Sequence, residues 1–363
     1  MQMKVAFVGL RGFPGVQGGI ETHCEHLATR LATLGTEVIV YGRRGYLKQK
    51  EAFEFEGVQI VPLPCIHKQV LETATYMFLC IWRCLFLRPG IVHIHGIGPA
   101  LFVPAFRLLG AKVVVTHHGP DYERAKWGLF AKSMLRLGEL VGCATANKVI
   151  AISAGIQAHL TSKFKFTHTV LIRNGVVCKA TTMALPPFDL QSKGYVLAVG
   201  RFVEEKGFSD LLNAWEQTRK SVNLKLVIAG KADIHSKYAE ALEQRAAELG
   251  VVLPGFVVGK DLEALYANAL LFVLPSLHEG LPIVLLEAMS YNLDIVASDI
   301  PANKEVPLPE ECFYSAGSVE DLVATIESHL AISHSQNYES ILHRRDYDWD
   351  KIAKATIEVY HSN

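Results

Sequence analysis

Two glutamates in the second half of the chain have a spacing that suits recognition of a polyhydroxylated ligand. Glu279 and Glu287 lie in "LHEGLPIVLLEAMS", directly after "LLFVLPS", an apolar run typical of a buried strand. Pro282 suits position N1 of a helix, where a backbone N–H would have no partner. The amides of Gly280 and Leu281 would then stand at the helix start and favour an anion. The pattern predicts Glu279 at the mouth of a loop and Glu287 deeper, each binding hydroxyls at one end of a ligand, with a phosphate between them.

A glycine-rich turn follows the first predicted strand. The stretch "GLRGFPGVQGGIETH" contains Gly18 and Gly19, just before a helix predicted to begin near residue 20. Uncovered amides and the helix dipole favour an anion there, and a tight turn without a ligand is the alternative. No two glycines have the G-x-G spacing, and the second strand ends in Arg43 and Arg44 rather than in an acidic residue. The arginines could receive the 2′-phosphate of NADP, but the glycine spacing argues against a nicotinamide enzyme.

The elements that must position these residues alternate between strands and helices. Runs such as "KVAFVGL", "EVIVYG" and "KVVVTHHG" pause at "CKATTMALPPFDLQSKG" and restart with "YVLAVG". Continuous apolar strands between amphipathic helices indicate parallel sheets covered on both faces. We therefore predict two doubly wound, Rossmann-like α/β domains, 1–178 and 195–345, joined by a linker at 179–194. Ligands bind at the carboxyl ends of such strands, so the expected site is a cleft across which the domains face each other. A C-terminal helix at 346–363 is expected to cross back to the first domain, although its own pattern does not fix where it packs.

Composition narrows the class of protein. A chain of 363 residues exceeds what one core usually supports, and its 36 basic residues balance 36 acidic ones. There is no overall field to attract nucleic acid, so no nucleic-acid partner is expected. The 7 cysteines form no C-x-x-C pair, and "MQMKVAFVGL" lacks the apolar region of a signal peptide. These features predict a cytoplasmic protein with reduced core thiols.

One segment departs from this soluble pattern. Residues 73–87, "TATYMFLCIWRCLFL", are apolar almost throughout, with Arg83 as an interruption. The run is shorter than the roughly 20 residues that span a bilayer. Two interpretations stay open: a helix buried in the first domain, or a helix partly exposed to lipid or to a lipid-linked substrate.

The order of motifs resembles a known family. "HEGLPIVLLEAMS" is similar to the E-x7-E motif of retaining glycosyltransferases of family 4, which have the GT-B fold. "GVQGGIETHCEHLA", "VVVTHHGP", "LIRNGV" and "AVGRFVEEKGFSDLLNA" resemble further family segments, so the resemblance extends over nearly the whole chain. "RGFPGVQGGIETHCEHLA" together with "ERAKWG" resembles a bacterial subgroup with rhamnosyl- and N-acetylglucosaminyl-type transferases of surface polysaccharides.

The resemblance implies roles for a basic pair and for the glycine loop. Arg201 and Lys206 match the cations that contact the donor diphosphate, where they would stabilise the negative charge of the leaving group without a metal. A pair of solvated surface cations is the alternative. Gly18 and Gly19 match the loop that approaches the phosphate and sugar of the donor.

The same resemblance divides the two glutamates between the ends of the donor. Glu287 matches the carboxylate that accepts hydrogen bonds from the ribose diol. Glu279 matches the carboxylate near the sugar hydroxyls, beside the amides of Gly280 and Leu281. The alternative is an exposed glutamate and a capping glutamate.

On the acceptor side, His118, or less strongly His117, matches the histidine near the transferred sugar. A packed, hydrogen-bonded imidazole is the alternative for such a pair. Asp121 and Arg124 follow on the same loop and are further acceptor-side candidates.

Two departures from the family pattern stand out. "YNLDIVAS" has Asn292 where family members often have glycine and proline, and asparagine can take the left-handed conformation that a helix end needs. The next loop, "DIPANKEV", lacks the expected glycines, which puts donor phosphate contacts from that loop in doubt.

The resemblance implies a retaining, metal-independent transferase without a cofactor. It would move a hexose from a nucleotide diphosphate sugar, with UDP-sugar favoured and dTDP-rhamnose next, to a glycan or undecaprenyl-linked acceptor in bacterial surface-polysaccharide synthesis. Two alternatives stay open: a nucleotide-sugar hydrolase or epimerase on the same fold, and a non-catalytic nucleotide-sugar-binding subunit. Peripheral contact with the inner face of the cell membrane is a separate hypothesis.

Overall fold

The protein, described here from a computed structural model, divides into two compact α/β units. The structure describes residues 3–66, 69–124, 127–177, 188–232, 236–332, 337–338, 341–342 and 347–362. Unit 1 comprises Met1–Gly175 and Tyr347–Asn363, and unit 2 comprises Val176–Asp346. Of the predicted linker, residues 179–187 lie outside the described residues.

Unit 1 is built on an eight-stranded sheet with the order β3-β4-β2-β1-β5-β6-β7-β8. Every pair of neighbouring strands is parallel except β3 and β4, which are antiparallel. The central strands are buried almost throughout, because helices cover both faces of the sheet. The strands are β1 (Lys4–Val8), β2 (Glu37–Arg43), β3 (Phe53–Phe55), β4 (Val58–Leu63), β5 (Ile91–His95), β6 (Lys112–His117), β7 (Lys148–Ala151) and β8 (Thr169–Leu171).

The helices of unit 1 divide between the two faces of its sheet. They are α1 (Gly19–Thr33), α2 (Gln69–Leu87), α3 (Ile97–Ala100), α4 (Val103–Leu108), α5 (Leu129–Thr145) and α6 (Ala154–Ala158). From β1 the chain moves through α1 and β2 to β4, toward one edge of the sheet, and every crossover after β4 moves toward the other edge. Because crossovers between parallel strands are right-handed, α1 covers one face and α2 to α6 cover the other.

Unit 2 has a five-stranded parallel sheet with the order β10-β9-β11-β12-β13. Its strands are β9 (Tyr195–Val199), β10 (Lys225–Ala229), β11 (Leu271–Leu274), β12 (Asp294–Ser298) and β13 (Phe313–Tyr314). Its helices are α7 (Phe208–Thr218), α8 (Lys237–Glu248), α9 (Gly259–Asn268), α10 (Ile283–Ser290), α11 (Pro301–Lys304) and α12 (Val319–Ala331). The predicted fold class, two α/β domains with parallel sheets, is confirmed.

The order of strands reverses once in each sheet. In unit 1 the chain leaves β1 in one direction and β5 in the other, and in unit 2 the same holds for β9 and β11. At such a switch point the loops after two neighbouring strands diverge and leave a crevice at the carboxyl ends. The structure therefore predicts one ligand-binding edge in each unit.

The C-terminal helix, α13 (Trp349–His361), belongs to unit 1 and contacts α1. The Asp348 side chain caps it by accepting a hydrogen bond from the Asp350 N–H at 2.7 Å. Trp349 and Tyr360 are buried, and a Cβ added at Gly175 would lie 2.7 Å from Trp349 Cδ2, so the chain passes closely against this helix.

Two local expectations can be compared directly with the structure. Asn292 has a φ of 52°, which confirms the predicted left-handed turn after α10. Pro282 is the N-cap residue of α10 rather than its first helical residue, because its ψ of 109° is extended. Gly280 and Leu281 therefore lie in the turn that precedes the helix, a correction to their predicted place at its start.

Candidate active site

In unit 2 the loops that follow β9 and β11 are joined to each other at the switch point. Leu277 N–H donates to the Glu205 carbonyl at 2.8 Å. Gly207 has a φ of 66°, and a Cβ there would collide with the Pro275 carbonyl oxygen. Only glycine combines this left-handed conformation with so close an approach. The two loops therefore hold each other in place, although they are far apart in the chain.

An ion pair lies where these loops meet. Lys206 Nζ contacts Glu279 Oε1, and the buried Ser276 hydroxyl donates to the same oxygen at 2.7 Å. The Lys206 stem runs beside Gly200, where an added Cβ would lie 3.4 Å from Lys206 Cδ. An ammonium has three N–H donors, so a lysine held by one carboxylate oxygen can still bind an anion. Arg201, partly buried, begins the same loop directly after Gly200.

The second glutamate of the motif lies on α10 and is held by a buried tyrosine. Tyr266 Oη donates to Glu287 Oε2 at 2.9 Å. Burial, followed by the charge of Glu287, raises the pKa of Tyr266 well above its usual value, so the phenol remains a donor. The ring of Tyr266 also stacks on Tyr291 at 5.7 Å between centroids. Glu287 is thus fixed from one side by a group that sequence reasoning had missed.

In unit 1, Gly18 and Gly19 precede and begin α1, and a side chain would fit at only one of them. Gly18 precedes α1 with a φ of 154°, and a Cβ there would collide with Glu21 Oε2. Glu21 is buried, and its Oε1 accepts a hydrogen bond from Arg11 N–H at 3.1 Å. Gly18 is therefore needed by the turn itself. A Cβ added at Gly19 would meet no atom within 4 Å, so Gly19 leaves the start of α1 uncovered.

Three histidines of unit 1 meet at the carboxyl ends of β5 and β6, and we call them the histidine cluster. His95 Nδ1 lies 3.2 Å from His118 Nε2, and the His23 ring stands edge-on to His118 at 4.9 Å. His23 Nδ1 donates to Asn174 Oδ1 at 2.9 Å. His23 and His95 are buried, while His118 is partly exposed.

The hydrogen bonds in the histidine cluster favour one tautomer of His118. His95 Nε2 is buried without a partner among the described residues, and an unpaired lone pair there costs less than an unpaired N–H. His95 therefore carries its proton on Nδ1 and donates to His118 Nε2. His118 then has its proton on Nδ1, which binds no described residue and can donate to a ligand oxygen.

The histidine cluster is uncharged. Burial lowers the pKa of His23 to about 4, against the opposing effect of its Asn174 hydrogen bond. Burial and the neighbouring histidines lower the pKa of His95 and of His118 well below the usual value. Close imidazoles in a water-poor site stay neutral, because the first added proton would be desolvated and a second would also be repelled by the first.

His117 lies on the opposite side of the strand from His118 and binds a buried carboxylate. Its Nε2 lies 2.9 Å from Glu139 Oε1, and its Nδ1 accepts from Gly119 N–H at 3.2 Å. Tyr122 Oη donates to Glu139 Oε2 at 3.2 Å. Burial opposes ionisation of Glu139, but its interactions with His117, led by their hydrogen bond, and with His159 outweigh it and lower the pKa of this carboxyl. With both ring nitrogens occupied, His117 holds the strand end in place rather than presenting a group to a ligand.

The other predicted residues of unit 1 form ion pairs of their own. Asp121 Oδ1 and Arg124 Nη2 lie 2.9 Å apart, both partly exposed, so the pair shapes the loop after β6. Arg43 Nη1 lies 2.8 Å from Glu72 Oε1, and both side chains are largely buried. A guanidinium engaged in this way is a poor receptor for the 2′-phosphate of NADP, which strengthens the argument against a nicotinamide enzyme.

The histidine cluster is the group of described residues with the spacing of a metal site. One ring nitrogen from each histidine lies within 4.8 Å of the others. A tetrahedral zinc ion needs ligand nitrogens about 3.3 Å apart, given its Zn–N distances. The cluster would have to contract to bind zinc, and doing so would use the ring of His118.

Family models match most of the chain. The model described as glycosyltransferase family 4 matches residues 17–179, and the model described as glycosyl transferases group 1 matches residues 193–331. The chain is a GT4-like glycosyltransferase of the GT-B type. The matched segments include Gly18, Gly19 and the histidine cluster in unit 1 and the loops around Lys206 and Glu279 in unit 2.

Relatives and solved structures resemble this glycosyltransferase over nearly its full length. An uncharacterized glycosyltransferase of Methanocaldococcus jannaschii is 26% identical over 385 residues, covering 99% of this chain and 98% of the relative. The phosphatidylinositol N-acetylglucosaminyltransferase GPI3 subunit of Saccharomyces cerevisiae is 24% identical over 367 residues, covering 94% of this chain and 79% of the relative.

Two solved structures share the fold. Sucrose-phosphate synthase from Thermosynechococcus elongatus has a TM-score of 0.83 at 19% identity, covering 99% of this chain and 98% of its own. HepE of Anabaena, in complex with UDP and glucose, has a TM-score of 0.78 at 17% identity, with complete coverage (100%) of both chains.

Several residues of this glycosyltransferase's candidate site were missed in the sequence. Tyr266 and Glu139 reach their partners through the packing of neighbouring elements, so no local pattern marks them. Ser276 bonds Glu279 three positions further along the same loop, so its contact is local. His95 did have a detectable signal, because it ends the strand run "IVHIHG" beside the strand that ends before His118.

Proposed function

We propose that this glycosyltransferase moves a hexose, with retention of anomeric configuration, from a nucleotide diphosphate sugar to a glycan or undecaprenyl-linked acceptor. The favoured donor is a UDP-sugar, with dTDP-rhamnose next, and no metal ion or cofactor takes part. The acceptor belongs to bacterial surface-polysaccharide synthesis, in the cytoplasm at the inner face of the cell membrane. The UDP and glucose bound in the similar HepE structure support a UDP-sugar donor. The name of the yeast relative, a phosphatidylinositol N-acetylglucosaminyltransferase subunit, supports a lipid-linked acceptor.

The ion pair of Lys206 and Glu279 is the observation that carries the proposal. It lies at the switch point of unit 2, where two loops are locked together and a side-chain ammonium is held in one position. When the bond between sugar and phosphate breaks, negative charge builds on the diphosphate. Lys206 and Arg201 stabilise that charge, which is the task a metal ion performs in other transferases.

The remaining groups orient the donor and transfer the proton. Glu287, held by Tyr266, accepts hydrogen bonds from the ribose diol. Glu279 accepts from sugar hydroxyls while it holds the Lys206 ammonium. The acceptor hydroxyl attacks the anomeric carbon on the face that the phosphate leaves, and its proton passes to the departing phosphate oxygen. His118 donates from Nδ1 to a hydroxyl of the bound sugar.

Nucleotide release tests the proposal. Purified chain is given UDP-, dTDP- and GDP-sugars with and without glycan acceptors, and release of the nucleotide is measured. The Arg201→Ala, Lys206→Ala double variant should lower kcat by about 10²-fold or more, the scale expected when groups that stabilise developing charge are removed. Lys304→Ala is the matched control, since Lys304 forms an exposed pair with Glu310 in the same unit.

Three outcomes separate the alternatives. Unchanged nucleotide release in the double variant would refute the roles of the two cations. Release that proceeds equally without acceptor would indicate a hydrolase. Saturable UDP binding without turnover on any acceptor would indicate a non-catalytic subunit, a second candidate that the subunit names of the phosphatidylinositol relatives favour.

A further inference from the structure

The second helix of unit 1 exposes large apolar side chains that the proposed reaction does not use. Its inner side, with Tyr76 and Cys80, is fully buried. Its outer side carries Phe78, Trp82 and Phe86, which are 65%, 53% and 69% exposed. The spacing of four residues places these three rings in one row, and Trp82 contacts Phe86 at 5.3 Å between ring centroids. Residues 73–87 therefore form a helix with one buried and one exposed side, and its contact with lipid stays a prediction.

Neighbouring helices extend this row into a broader surface. Leu108 at the end of α4 is 88% exposed, and Leu129 and Phe130 at the start of α5 are 87% and 70% exposed. Helices α3 and α4 each contact both α2 and α5, so the four form one layer on the same face of the sheet. We call the exposed apolar residues of α2, α4 and α5 the apolar face. Exposed apolar surfaces of this kind mark interaction sites.

The exposed charged side chains on α2, α4 and α5 all have one sign, although Glu123 is exposed on the short helix that packs against α5. Arg83, Arg107 and Arg136 are exposed on α2, α4 and α5 and form no ion pair with any described residue. The carboxylates on these helices are those of Glu72 and Glu139, and both are buried. Three helices that combine exposed aromatic rings and arginines with no exposed carboxylate of their own match a bilayer interface that carries anionic lipid.

We propose that the apolar face docks this enzyme on the surface of an anionic lipid bilayer. The rings of α2 enter the boundary between headgroups and acyl chains, while the arginines bind lipid phosphates. No helix of the described residues is long and apolar enough to cross a membrane, so α2 lies along the surface. The inference deepens the proposed function, because a lipid-linked acceptor is available only at such a surface.

Vesicle binding by the full chain tests the docking surface. The chain should sediment with vesicles of phosphatidylcholine and phosphatidylglycerol, less at high salt, and far less with phosphatidylcholine alone. The Trp82→Ser, Phe86→Ser double variant should bind anionic vesicles at least about tenfold more weakly, because two interfacial rings are lost. Leu34→Ser is the matched control, since Leu34 is 44% exposed at the end of α1 on the opposite face of the sheet. Trp82 also provides an optical readout, because brominated phosphatidylcholine should quench its emission. Trp82→Phe should reduce that quenching, and any remainder would come from Trp127, two residues before Leu129.

Other outcomes would overturn the inference. Failure of the wild-type chain to bind anionic vesicles would do so, as would equal binding by the double variant with unchanged circular dichroism and melting. A dimer that Trp82→Ser dissociates, in a chain that ignores vesicles, would assign the apolar face to a second copy. Vesicle binding is measured without a sugar donor and nucleotide release without vesicles, so each proposal can fail separately.

Discussion

Mild acid should destabilise unit 1 through His23. This side chain is 2% exposed, and its neutral ring donates to Asn174 while standing edge-on to His118 and Trp349. Its pKa is lowered to about 4, so the folded state binds a proton at a lower pH than the unfolded chain does. A depressed pKa of this kind gives stability that is complete above the unfolded pKa and is lost as the pH falls toward the folded value.

The size of the effect follows from the two pKa values. Unfolded histidine has a pKa of about 6.5, whereas His23 in the folded protein has a pKa of about 4. Because of this difference, the free energy of unfolding falls by about 2 kcal/mol when the pH is lowered from 8 to 5. His93, His95 and His118 also have lowered pKa values, mainly because of burial, and act in the same direction. Glu25 acts in the opposite direction, since burial and the charge of Glu56 raise its pKa to about 7. A difference between variants is therefore more informative than the whole curve.

Urea unfolding followed by tryptophan emission measures this difference. In a Trp215→Phe background the remaining tryptophans, Trp82, Trp127 and Trp349, all belong to unit 1. His23→Gln should lower stability at pH 8, because it disturbs a packed ring. It should also reduce the loss between pH 8 and pH 5 by about 2 kcal/mol.

Glu25→Gln is the control of opposite sign. It removes a group that stabilises the fold as the pH falls from about 7, so its loss of stability on acidification should be larger than that of the wild type. If His23→Gln and the wild type lost the same free energy over this range, burial of a neutral histidine cluster would not be the cause of the acid sensitivity.

Three further predictions concern unit 2 and metal ions. Gly207→Ala should lower the unfolding free energy of unit 2 by about 2 kcal/mol and reduce nucleotide release, because the new Cβ meets the Pro275 carbonyl. Gly255 is also left-handed but lies in open space, so Gly255→Ala should cause a smaller loss of unfolding free energy in the same urea titration. Tyr266→Phe should raise the donor KM a fewfold with little change in kcat, since it frees Glu287 without removing it; an unchanged KM in initial-rate assays would contradict the positioning role. Chelation with EDTA should leave nucleotide release unchanged, and loss of activity on chelation would contradict the metal-independent mechanism. Added Zn²⁺ should inhibit nucleotide release by binding the histidine cluster.

Local features of the chain were predictable wherever local physics decides them. Apolar runs separated by amphipathic helices indicated two parallel sheets, and each strand from β9 to β12 lies on such a run. The left-handed turn at Asn292 was expected because family members often have glycine and proline there and asparagine tolerates the same conformation. The motif "HEGLPIVLLEAMS" located α10 to within one residue, and only the choice between N-cap and N1 for Pro282 was wrong.

Contacts between distant residues were decided by the tertiary structure. Lys206 and Glu279 are 73 positions apart, and they meet because β9 and β11 are neighbours in the sheet while β10 lies outside them. His23 on α1 and Asn174, which follows β8, are 151 positions apart and meet although β5, β6 and β7 lie between β1 and β8 in the sheet. The apolar character of residues 73–87 was visible in the sequence, but only the packing of α2 decided which side faces outward. Periodicity and turn chemistry act within a few residues and determine the elements, whereas the order of strands determines which side chains form a site.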